Sequence, residues 1–121
     1  MNKLIDRLKR DNQFYFSEIH GIQHYCNVSL AGLRLAKHYD LNPKLVRYFA
    51  YLHDSCRENE GTDPDHGPRA ADYIESIKHL IDLCTAERWM LQSACAMHTR
   101  AQPWDGHKYT LFEKCAFDAD R

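Results

Sequence analysis

Two histidines and the acidic residues beside them carry the clearest chemistry in this sequence. At about 100° per residue, the segment starting near Gln23 puts His24 on its apolar face, one turn before Val28. In the segment starting at Pro43, His53 stands beside Leu52 and Phe49, at the edge of an apolar stripe. Asp54 follows directly, where the helical pattern ends and the next side chain can swing toward the same point. Asp120 lies one turn after Ala116 and two after Phe112, although periodicity hardly separates it from Asp118. A lone histidine on an apolar face is usually a hydrogen-bonded core residue. Two imidazoles and a carboxylate on the inner edges of different helices are another matter: burying them unpartnered is costly, and one divalent cation satisfies them all. Mixed nitrogen and carboxylate donors suit Mn, Fe, Co, Ni or Zn better than Ca, with Mg also admitted. Spacing alone leaves both readings open.

The elements that must position these groups read as helices. A short one fits residues 3–10 and a second 23–38, with Val28, Ala31, Gly32 and Leu35 on one face. Asn42-Pro43 is a cap followed by a first-turn proline, opening a helix through about residue 53 that buries Leu45, Phe49 and Leu52. Residues 55–68, rich in Asp, Glu, Gly and Pro, are the least regular stretch. A fourth helix fits 70–80 through Ala70, Ile74 and Ile77, and Thr85-Ala86-Glu87 starts a fifth that reaches about His98. After a loop over 102–106, a last helix runs from Leu111 to the end. No hairpin signal and no sustained alternation appear, so strands are not expected. The expected fold is an all-α, compact bundle of five to six helices forming a single domain over 1–121. The last helix has barely three turns when the sequence stops at Arg121 without a cap glycine, which leaves truncation at the C-terminus open.

Composition narrows the partners. Sixteen Lys+Arg against seventeen Asp+Glu produce no global field for nucleic acid or anionic lipid, and no basic, aromatic-laced stripe appears. Five scattered cysteines (Cys26, Cys56, Cys84, Cys95, Cys115) fit neither a disulfide framework nor a zinc ribbon. Free thiols in a cytoplasmic protein are the natural reading. No signal-peptide core or bilayer-spanning run is present. Trp89 and Trp104 read as packing and loop anchors, and His38, His79 and His107 as solvent or loop residues.

A resemblance adds what spacing cannot. His-Gly-x-x-His at 20–24, Tyr51-Leu52-His53-Asp54 and Ala119-Asp120-Arg121, with Asp65-His66-Gly67 and His98 between, occur in an order that resembles the HD superfamily of helical metal-dependent phosphohydrolases. The likeness covers nearly the whole chain from His20 onward. It implies a metal on His24, His53, Asp54 and Asp120, with Asp118 as the fallback. His66 and His98 match the pair that holds a second ion where two are bound; the alternative makes them substrate-phosphate ligands or loop residues. His20 matches a variable first histidine that caps or orients its helix. Family members usually continue several helices beyond the Ala-Asp-Arg ending, and those helices wall the pocket.

The expected chemistry is hydrolysis of a phosphate ester, on a phosphorylated small molecule or a nucleotide. A cation acidifies water and polarises a phosphoryl oxygen, while positive groups stabilise the equatorial oxygens. Arg57 and Arg69 are the nearest cations, though each could instead be a surface arginine paired with Glu58, Glu60 or Asp72. Asp54 would hold the attacking water besides ligating, and a protonated His66 or His98 would serve the leaving group as acid. The competing functions are a metal-retaining but inactive domain with a regulatory or binding role, and a metal-free helical interaction module. Oligomeric state is not legible.

Overall fold

A computed structural model describes residues 1–100 and 108–121. Loop 102–106 with Trp104, and His107, lie outside the described residues. Among those described there are six α-helices, one short 3-10 turn and no strand, as the periodicity requires. They are α1 (Asn2–Asp11), α2 (Ile22–Tyr39), α3 (Pro43–Leu52), α4 (His66–Ser76), α5 (Thr85–Met97) and α6 (Leu111–Asp120). The five cysteines are all free.

Local chemistry sets the ends. Asn42 caps α3 by accepting from the Lys44 N–H at 3.0 Å, and Pro43 occupies the first turn where its missing N–H costs nothing. Thr110 and Glu113 cap α6 reciprocally, each side chain accepting a 3.1 Å bond from the other's backbone N–H. α2 ends on Asp40 in the left-handed conformation, φ 56°.

The largest departure from expectation is α4. It begins at His66, inside the stretch read as irregular, and stops at Ser76, before a separate 3-10 turn at Lys78–Leu80. Gly67 and Pro68 hide this start in the sequence, since both argue against a helix interior. In a first turn neither is a defect, because those N–H groups have no intrahelical partner.

α3 is the central helix, packed on α2, α5 and α6, while α4 packs on α5 and α2 also meets α6. Leu45, Phe49 and Leu52 are buried as expected, together with Val46, Tyr48 and Ala50. Two glycines permit close approaches between helices. A Cβ on Gly32 would sit 2.4 Å from the Val46 Cγ1, so its absence lets α2 and α3 pack this closely there. A Cβ on Gly67 would sit 2.5 Å from the Cys95 carbonyl oxygen, so the start of α4 can lie against the end of α5. Trp89 corrects the sequence reading: it is 63% exposed on α5 and does not pack into the core.

Candidate metal centre

Each chemical residue stands at the end of a helix. His24 is in the first turn of α2, His66 is the first residue of α4, and Asp120 is the last of α6. His53 and Asp54 follow α3 directly, and His98 follows α5. His53 keeps helical geometry as the C-cap, which lays its ring on Phe49 at 4.8 Å and 15°. Its Nδ1 donates to the carbonyls of Phe49 and Ala50, both at 3.0 Å. His66 Nδ1 donates to the Asp63 carbonyl, and His98 Nδ1 donates to the Cys95 carbonyl at 2.6 Å. A carbonyl only accepts, so the proton of each neutral ring is on Nδ1 and the Nε2 lone pair faces inward. Backbone anchoring of this kind fixes the tautomer and aim of metal-binding imidazoles.

These Nε2 atoms form two groups around one carboxylate. Asp54 Oδ2 lies 3.4 Å from His24 Nε2 and 3.3 Å from His53 Nε2. Asp120 Oδ1 is 3.0 Å and 3.1 Å from the same two nitrogens, which are 3.2 Å from each other. On the other side, Asp54 Oδ1 lies 2.9 Å from His66 Nε2 and 3.5 Å from His98 Nε2. Within each group one donor atom per residue lies within 4.8 Å of all the others.

The donors fit a cation. Two lone pairs facing each other repel unless a proton or a cation lies between them, and His66 Nε2 and His98 Nε2 are 3.0 Å apart. Nitrogens about 2.1 Å from one ion, at angles of roughly 90–110°, stand about 3.0–3.4 Å apart, the separation both histidine pairs show. The arrangement could therefore hold divalent metal, with donor chemistry that suits first-row transition ions.

The HD domain family pattern matches residues 21–121. The chain belongs to the HD domain family. No curated protein and no solved structure matches it. HD domains are typically metal-dependent hydrolases and bind divalent metals. All six residues of the two groups fall inside the matched span, whereas His20 lies just before it.

Without an ion the first group of this HD domain is a network of charges. His24 is pushed up to about 9 by its hydrogen bonds to Asp120 and Asp54, against the effect of burial. Burial opposes charge on His53 too, yet Asp54 and Asp120 outweigh it and raise His53 to about 10. Burial alone would raise Asp54 and Asp120, but the histidines hold both carboxyls well below the usual carboxylate range. His98 behaves differently: burial lowers it below the ordinary histidine value, so its lone pair stays available.

Both groups open into a cavity of about 500 Å³ lined by His20, Arg57, Thr62, Pro64 and Thr99 as well. Arg57 aims at the site, its Nε 3.3 Å from Asp54 Oδ1 and its Nη1 donating to the Gly61 carbonyl at 3.2 Å. Arg69, the other expected phosphate-binding cation, is engaged elsewhere. Its Nη2 lies 2.8 and 2.7 Å from the two oxygens of Asp63, and Glu58 is 3.7 Å from its Nε. Asp118 is at the surface, paired with Arg121 at 3.1 Å, so of the two candidate aspartates only Asp120 reaches the histidines. His20 does not cap α2, a place taken by Gly21; its Nδ1 sits 3.6 Å from Glu60 Oε1 at the cavity lip. His38 and His79 are exposed, as expected.

Asp63, Glu60 and Thr99 were not read as site residues from sequence. Asp63 aims His66 through its backbone carbonyl while its carboxylate is held by Arg69, and the Thr99 hydroxyl donates to the Pro64 carbonyl; these contacts form only in the folded loop and leave no spacing signal in the sequence. No described helix is long and apolar enough to cross a membrane.

Proposed function

We propose that this HD domain is a metal-dependent phosphohydrolase acting on a small phosphate ester or a nucleotide in the cytoplasm. The observation that carries the reading is Asp54: its two oxygens face two separate histidine pairs at the floor of an open cavity. His24, His53, Asp54 and Asp120 would hold one ion, and Asp54, His66 and His98 a second. When bound, such cations polarise a phosphoryl oxygen and acidify water, chemistry that needs no organic cofactor. Arg57 binds the equatorial phosphoryl oxygens; its side chain is only 12% exposed, so its charge acts in a poorly screened setting.

Of the two roles expected for His66 and His98, holding a cation fits their arrangement better than serving the leaving group as acid. The Nδ1 of each is committed to a carbonyl, and the two Nε2 atoms face each other and Asp54. We therefore assign both to holding a cation. His20, on the cavity wall, orients substrate. Five unpaired thiols suit a reducing compartment.

A panel of nucleotides and generic phosphoesters, assayed with Mn, Co, Ni, Mg or Zn, tests the reading. Turnover that requires metal and is lost in Asp54→Ala is the expected result. Arg57→Ala should lower kcat about 10²–10³-fold, the usual effect of removing one stabilising donor. No turnover by a metal-loaded protein would replace this reading with a regulatory, metal-retaining domain.

A further inference from the structure

Resting on the two-ion reading above, we propose that Arg69 and Asp63 form a clamp that positions His66 and thereby controls occupancy of the second ion's site. His66 takes its aim from a loop, not from a helix. Its Nδ1 donates to the backbone carbonyl of Asp63, three residues earlier. Whether that carbonyl stays in place depends on what holds Asp63.

The Asp63 side chain is 6% exposed and fully engaged. Its Oδ2 accepts from the Glu58 N–H at 2.8 Å and from Arg69 Nη2 at 2.7 Å; its Oδ1 accepts from the same Nη2 at 2.8 Å. Arg69 Nε meanwhile donates to the Cys56 carbonyl at 3.1 Å. One guanidinium thus joins the residue two places after Asp54 to the residue whose carbonyl aims His66. Next along the loop, the Pro64 carbonyl accepts from Thr99 Oγ1 at 3.0 Å, beside His98. The loop is fastened on both sides of the His66–His98 pair.

The first ion's residues come from α2, α3 and α6, and none of them contacts Arg69 or Asp63 in this network. Loss of the clamp should therefore free the loop and misdirect His66 while His24, His53 and Asp120 keep their arrangement. An imidazole whose anchoring carbonyl wanders must be ordered at the moment of binding, and that entropy weakens the ion's hold. Losing such a supporting partner typically costs about 10–100-fold in metal affinity.

The test is Mn(II) titration of the full chain, read by calorimetry, elemental analysis and the spin coupling of paired Mn(II) ions. The wild-type chain should take up two ions. Arg69→Met and Asp63→Ala should each weaken the second ion about 10–100-fold, abolish the coupling signal and leave the first ion's affinity within about threefold. The double variant should do no more than either single one, because the two residues act as a unit. Arg69→Lys, which keeps the charge and loop packing, provides a milder probe should Arg69→Met fold poorly; it should weaken the second ion selectively too. Two ions bound at unchanged affinity in the Arg69 variants, or equal loss of both ions, would overturn the clamp. A wild-type chain that takes one ion, with an affinity indifferent to His66→Ala, would instead overturn the two-ion reading, and the clamp with it.

Discussion

His66 Nε2 stands 3.0 Å from His98 Nε2, and this contact ties the first residue of α4 to the residue just after α5. Neither histidine lies on a stripe shared with the other. They meet because α4 and α5 pack together with a glycine at the crossing, and because each ring is aimed by a carbonyl within three residues of it.

Metal stoichiometry should follow the two groups. Replacing His53 or Asp54 by alanine is expected to abolish stoichiometric binding, since Asp54 serves both groups and His53 is fully buried in the first. His66→Ala should remove one ion and spare the other. Elemental analysis of protein purified without chelator reads all three, and full metal content in both His53→Ala and Asp54→Ala would refute the ligand set.

Gly67→Ala should loosen α4 from α5. The added Cβ would lie 2.5 Å from one backbone oxygen and 3.0 Å from another, neither able to yield as a flexible side chain does. A destabilisation on the order of 2 kcal/mol is expected, as for overpacking in general. Thermal unfolding measures it. The matching expectation is a weaker second ion, because His66 and His98 are drawn apart.

The pH dependence has opposite signs with and without metal. Histidine ordinarily titrates near about 6.5; in the folded, metal-free chain His24 is raised to about 9 and His53 to about 10. Their charge stabilises the fold fully below the ordinary value, and that contribution is lost as pH rises through the raised ones. Asp54 and Asp120, held low, add stability above about 3.9 that is lost in acid. Tm of metal-free protein should thus fall as pH rises from about 6.5 to about 10 and level off above that. Metal affinity should instead rise with pH, because both imidazoles must shed protons to ligate. Thermal melts in chelator, and calorimetric proton release in two buffers, check the two halves; proton uptake on metal binding would contradict the second.

Two aromatic substitutions should separate surface from core. Trp89→Ser, at a 63% exposed site, is expected to change stability by no more than about 0.5 kcal/mol. Phe49→Ala should cost about 3–5 kcal/mol, because Phe49 is fully buried and supports the His53 ring. Denaturant unfolding compares them, and a large effect at Trp89 would mean that its exposed face is covered in solution.

The sequence by itself determined the helices whose limits are set by neighbours in the chain. Asn42-Pro43 opens α3 wherever it packs, and the apolar repeats of α2, α3 and α6 specify an inner face. It also held the order of His24, His53, Asp54 and Asp120, since a family pattern is a pattern along the chain. Tertiary structure decided what depends on residues far apart in sequence. Asp118 and Asp120 sit at similar margins of one stripe, and only the packing of α6 on α2 places Asp120 within 3.0 Å of His24 while Asp118 meets solvent. Arg57 and Arg69 look alike along the chain; the fold of the loop between them turns one toward Asp54 and the other onto Asp63. The start of α4 was illegible for the same reason. Gly67 and Pro68 lower local helix propensity, and the contact that rewards a glycine there, the close approach to Cys95, exists only once α5 is in place.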